Sequence, residues 1–304
     1  MIKTMKTLRV GLLAPLLLLL CVAGSALAQE PLRHGQGLLW RVETPGKADS
    51  YLFGTMHATD PKIVRIPTPV LEAFRQSQSL TLEMVMTDAV QQKLGAAMVL
   101  SDGRRLDGII GAQRFGALAQ IGQLYGFQPA VMAHLAPWAA MTVISIAPSE
   151  YGRIREGIPP LDQALQNDAQ ARGLPVYGLE TVEEQISVFQ DVPEDEQIAL
   201  LDLAIRSHVQ IEGWFLQMKD AYLTRDLARL TNLMHEQTSG GDERVMRSFE
   251  ARLIEARNIR MAVRMAERLD AGGAFVAVGA LHLPGDKGVV HLLELQGRRL
   301  TRLY

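Results

Sequence analysis

Thiol chemistry is all but excluded by composition: the chain has one cysteine, Cys21, and it lies in an apolar leader, not in the body of the protein. Beyond that leader no disulfide, thiolate metal site or cysteine nucleophile is available, whatever the redox state of the surroundings. An excess of one charge is missing too. With 31 basic against 33 acidic residues, nothing marks the surface for nucleic acid. No uninterrupted apolar run of 18 residues stands beyond residue 30, so the remainder offers no membrane span. The sequence also lacks G-x-S-x-G, a Walker loop and G-x-G-x-x-G, which argues against serine-hydrolase, nucleoside-triphosphatase and dinucleotide-binding readings.

What is present begins with a leader. Lys3, Lys6 and Arg9 precede an apolar core from Val10 to Val22, and Ala26-Leu27-Ala28 follows as a small-x-small cleavage site. This pattern is a secretory signal peptide over residues 1–28, with export to the periplasm or the medium expected after cleavage at Ala28. Leu20 stands before Cys21 where a lipoprotein signal needs a small residue. Losing the three basic residues takes the formal charge from −2 to −5.

Residues 29–304 read as a single domain. GLLWRVETPGKADSYLFGTMH gives two strands, Leu38–Val42 and Tyr51–Gly54, around Pro45-Gly46. Thr68 N-caps a helix over TPVLEAFRQS, and SLTLEMVM at Ser79–Met86 reads as a strand with Glu83 in its middle. A helical insertion then spans about 89–270, broken by a short strand near 174–179 in GLPVYGLE and by a turn at SGGDE. GGAFVAVGALHLPGDKGVVHLLELQG returns to sheet, turn and helix. The expected fold class is α/β (α+β): a mixed central sheet with strands from both ends of the chain, flanked by many helices.

Two strands close on the same signal. YLFGTMH ends in Gly54-x-x-His57 and VAVGALH in Gly279-x-x-His282. FVAVGAL carries almost no polar atoms, as a central parallel strand requires, and open α/β sheets build their sites at the C-terminal ends of such strands. The glycines would let the chain turn or a ligand come close, with both imidazoles aimed at a common centre. Glu83 stands among core-like residues and Glu180 ends VYGLE; a buried acid needs a partner, a proton or a metal. Two histidines with carboxylates suit a divalent Mn, Co, Fe or Zn ion with open coordination positions.

LFGTMHATDP, LTLEM, GIPPLDQAL with LPVYGLETVEEQ, EARNIRMAVRM and FVAVGALHLPGDKGVVHLL, in this order over nearly the whole body of the chain, resemble the TraB/GumN family. That family includes the TIKI proteases and shares a fold with the EreA/ChaN-like proteins. The resemblance implies a metal-dependent hydrolytic centre, acting on a peptide or protein substrate, with Gly54, His57, Glu83, Gly279 and His282 at its core. It also implies a role for Arg257 and Asn258, where the helix's own pattern suggests a solvated face.

Expected roles are His57, His282 and Glu83 as metal ligands, Glu180 as proton acceptor with the two acids exchangeable, and Arg257 as a clamp on a carboxylate or substrate. The rival is a non-catalytic periplasmic binding protein for haem, a metal-bearing ligand or a peptide. Among other histidines, His235-Glu236 begins a zincin motif that fails at Ser239. His208 sits in a helix, His134 reads as a helix-start or packing residue, and His291 as a residue standing behind the centre.

Overall fold

A computed structural model describes residues 31–304, so the leader reading falls outside the described residues. Pro31–Tyr304 form one compact unit. Its sheet has six strands: β1 (Leu39–Glu43), β2 (Ser50–Thr55), β3 (Ser79–Leu82), β4 (Val176–Gly178), β5 (Ala274–Gly279) and β6 (Arg299–Arg302). Their spatial order is β4-β3-β5-β2-β1-β6. β4, β3, β5 and β2 run parallel, and β1 pairs antiparallel with β2 and β6.

The fold class read from the sequence is therefore the one observed. Parallel neighbours need a crossover, and the Thr68–Gln76 helix supplies it between β2 and β3. Those two strands are not adjacent: β5, from the far end of the chain, slots between them. Ala274 to Val278 are all fully buried, because helices cover both faces of a parallel strand in the middle of a sheet. Phe275 packs against Phe53 and Phe74 with ring centroids 5.9 and 5.0 Å away.

Two local expectations need correcting. The strand expected over Ser79–Met86 stops at Leu82, leaving Glu83 just beyond its end. Its outer neighbour β4 is three residues long, so the ladder runs out before Glu83, whose side chain has other partners. The crossover helix begins at Thr68 itself, with Pro67 in the capping position and no side-chain cap. Pro69 brings no N–H that would need one.

Most of the chain between β3 and β5 is helical and carries a second apolar core. Leu106, Leu118, Met132, Trp138, Ile144, Leu200, Leu201 and Val245 fill it. Trp138, on the Pro137–Ile144 helix, stacks on Phe189 at 5.6 Å. Among the described residues no helix is long and apolar enough to cross a membrane.

Candidate functional site

All four parallel strands finish at one edge of the sheet, and each delivers a polar side chain there: His57 two residues after β2, Glu83 directly after β3, Glu180 two residues after β4, and His282 three residues after β5. This is where the topology of an open α/β sheet leaves a crevice. A cavity of about 590 Å³ opens beside it, walled by Thr55, His57, Glu83, Asp162 and Arg257 among others.

The glycines serve space, not left-handed backbone. Gly279 has φ −54°, open to any residue, but a Cβ there would stand 3.3 Å from both Glu83 Oε1 and the His282 ring. With no side chain in the way, the Gly279 amide donates to Glu83 Oε1 at 2.6 Å. A Cβ on Gly54 would stand 2.7 Å from Leu283 Cδ1. What comes close to each glycine is the protein itself.

Arg257 joins the acids. Its Nη2 donates to Glu83 Oε2 and to Glu180 Oε2, both at 2.6 Å, and its Nε donates to Glu180 Oε2 at 2.9 Å. Arg260 Nη1 reaches Glu180 Oε1 at 3.0 Å. The Glu180 side chain is 0 % exposed, and beside these two guanidinium groups Gln185 Nε2 lies 3.4 Å from its Oε2, so a buried carboxylate is matched by partners on every side it presents. Arg257 is the second residue of the Ala256–Ala271 helix, which follows directly on a π-helical turn at Ala251–Glu255. Such a turn inserts a residue into the helix and shifts which side chains face inward. Arg257 and Asn258 thus share the buried stripe with Met261, Met265 and Leu269, where a solvated face was expected.

His282 is buried and has a defined tautomer. Asn258 Nδ2 donates to the Lys287 carbonyl at 2.8 Å, which turns Oδ1 toward His282 Nδ1 at 2.6 Å. An amide oxygen only accepts, so Nδ1 carries the hydrogen and Nε2 presents its lone pair. That lone pair lies 3.3 Å from Arg257 Nη1 and 3.6 Å from Glu83 Oε1. His57 follows a similar plan at the mouth of the cavity. Its Nδ1 lies 3.2 Å from Asp162 Oδ2, and Asp162 Oδ1 accepts from Thr55 Oγ1 at 2.6 Å. Asp162 was not singled out from the sequence; its only signal was the quoted GIPPLDQAL.

The electrostatics follow the contacts. Burial alone would raise the Glu83 pKa, but nearby positive charge at His282 and Arg257, with the Gly279 amide, brings it down to about 2. Burial holds His282 below the ordinary histidine value, leaving it uncharged near neutral pH, where Arg257 is the lasting cation beside Glu83. The hydrogen bond to Asp162 raises His57.

The structure thus brings Glu83, His282, Asn258, Arg257 and Glu180 into direct contact, with His57 on the same cavity. His57 is set back. Among the described residues the one trio of His, Asp or Glu side chains whose ligating atoms all lie within 4.8 Å is His34, His291 and Glu294. His291, read as a support behind the centre, pairs with Glu294 in that group. His235 pairs with Glu250, and His208 binds the Ile144 carbonyl.

Comparison with known proteins gives the chain a family. The model of the TraB/PrgY/gumN family matches residues 38–302, and the chain belongs to that family. It is 23 % identical to Uncharacterized protein YbaP of Escherichia coli (strain K12), over 83 % of this chain and 90 % of the relative; the Shigella flexneri protein of the same name gives the same figures. It is also 23 % identical to Metalloprotease TIKI homolog of Amphimedon queenslandica, over 87 % of this chain and 61 % of that protein. No solved structure matches.

Proposed function

We propose that this member of the TraB/PrgY/gumN family is an exported metal-dependent hydrolase that cleaves peptide bonds, with His282 and Glu83 as ligands of a divalent ion and His57, set back on the same cavity, moving in to complete the set. The observation that carries the reading is the donor set. Glu83 Oε1 and the His282 Nε2 lone pair face each other across 3.6 Å, close to the roughly 3.3 Å between neighbouring ligands of a tetrahedral ion with 2 Å bonds. Both ligand histidines have Nδ1 on a side-chain oxygen acceptor, the arrangement that fixes a metal-binding ring with Nε2 outward. The donors therefore suit Mn, Co, Fe or Zn.

Such an ion supplies a Lewis acid for the scissile carbonyl and an acidified water. The chain's own groups do the rest. Arg257, tethered through Glu180, holds positive charge beside Glu83 and the cavity. Glu180 has no access to solvent and both its oxygens are paired, so in this reading it positions Arg257 and does not accept protons. Asp162, 23 % exposed on the cavity wall, is the solvent-reachable carboxylate, its oxygens held by Thr55 and His57. Met84, Met86, Val188, Phe189 and Leu253 make the wall apolar, and Gln91, Gln163 and Gln185 add amides. That mixture suits apolar side chains on an extended peptide backbone. The TIKI relative's name agrees with peptidase chemistry.

The test is a peptide-library cleavage screen with chelator-stripped protein resupplied with Mn, Co, Fe or Zn. Cleavage should appear only with metal and vanish in His282→Ala and Glu83→Gln. Uptake of metal or haem without cleavage of any peptide would reject the hydrolase in favour of a binding protein.

A further inference from the structure

A second group of ligating side chains lies apart from the strand-end centre and enters none of the chemistry above. His34 precedes β1; His291 and Glu294 sit on the Val289–Leu295 helix. Residues three apart on a helix share a face, and here that face meets the first described segment of the chain. Glu294 Oε2 stands 3.0 Å from His34 Nε2 and 3.2 Å from His291 Nδ1. The three ligating atoms all lie within 4.8 Å of one another.

We propose that His34, His291 and Glu294 form a structural divalent-cation site, of zinc-binding type, that staples residues 31–36 to the C-terminal helix. The donor set of two imidazoles and one carboxylate is a common one for Zn, and the His–Glu spacings are near the roughly 3.3 Å separating ligands on a tetrahedral ion. The residues are sheltered but reachable, with side chains 16, 19 and 35 % exposed, which leaves a fourth position for water.

Independent features hold His34 in place. Its φ is +53°, a left-handed backbone that costs a non-glycine residue energy and persists only where its surroundings impose it. Its ring stands edge-on to Trp40 at 5.1 Å. On either side, the Gly285 amide donates to the Arg33 carbonyl at 2.7 Å, and the Ala228 amide to the Gly35 carbonyl at 2.9 Å. The body of the chain has no cysteine, so a metal is the available cross-link between its two ends, and its binding energy would add to folding energy.

The test uses untagged protein carrying His57→Ala and His282→Ala, which removes the other centre's histidines. Zn²⁺ titration should leave about one equivalent bound after dialysis and raise the thermal midpoint, and Co²⁺ should give the visible absorption of a four-coordinate site. Adding His34→Ala, His291→Ala or the shape-preserving Glu294→Gln should weaken Zn²⁺ binding on the order of 100-fold. A chain that retains no Zn²⁺ at micromolar concentrations, or retains it undiminished in the His34→Ala/His291→Ala variant, overturns the proposal and leaves a hydrogen-bonded triad only.

Discussion

The edge of the parallel sheet and the helical core both bury polar side chains, and they bind them differently. In the helical core Gln197 is 8 % exposed, and its amide serves backbone groups, donating to the Val192 carbonyl at 2.8 Å and lying 3.4 Å from the Trp138 amide. Glu196 is paired with an exposed arginine, Arg244. At the strand ends, Glu83, Glu180, Arg257, Asn258 and His282 bind one another. Capping a helix needs one side chain at a time; a connected set of charges taken out of water is expensive to assemble. Nothing in the packing of the sheet requires it, since apolar residues fill the core directly beneath. The difference is what singles out the strand ends for the proposed chemistry.

Arg257→Met should have the largest effect on stability. It leaves Glu180 buried without its main partner and Glu83 without a cation, costing about 4 kcal/mol in urea unfolding. A cost below about 1 kcal/mol would mean that water replaces the guanidinium and that the cluster is no more closed than the helical layer. Leu201→Ala, in the helical core at 1 % exposure, should cost about 3 kcal/mol from the cavity it opens while metal affinity at the strand ends stays unchanged. Altered affinity would show that the two regions are coupled.

Acid should act on the strand ends in two stages. His282 has a lowered pKa in the folded protein, so below about 6.5 the unfolded chain binds the proton more readily and stability falls. Glu83, with its pKa at about 2 when folded against 4.5 for a free carboxylate, contributes stability that is present above 4.5 and lost as pH falls through about 2. Urea midpoints against pH should therefore lose their slope just below pH 6.5 in His282→Asn. An unchanged slope would transfer that stage to another group. The smallest effect belongs to the helical surface. Arg114 is half-exposed and lies 3.1 Å from Asp202, which Arg206 also engages, so Arg114→Ala should shift stability by less than about 1 kcal/mol.

The legible parts of this protein were those written in local pattern. Apolar runs that stop at Gly-x-x-His announced β2 and β5, and their likeness suggested a shared sheet; the structure adds that they are direct neighbours. Glu83 was misplaced within its strand because Leu80-Thr81-Leu82-Glu83 alternates as a strand should. What ends the ladder is a short neighbour far away in the chain. Arg257 and Asn258 looked solvated because the helix is rich in charge, yet Asn258, Met261, Met265 and Leu269 recur at helical spacing and carry both residues inward. Asp162 and His34 were illegible for another reason: each meets its partner across more than a hundred residues, and no periodicity reports such a contact.

In the proposed centre the strand-end residues hold a divalent ion between the two histidine motifs. Anomalous diffraction at the Mn edge from crystals grown with Mn²⁺ tests it most directly. A peak is expected at roughly 2 Å from His57 Nε2, His282 Nε2 and a Glu83 oxygen, with Arg257 still on Glu180. No peak there, or a peak whose ligands exclude both His57 and His282, would contradict it.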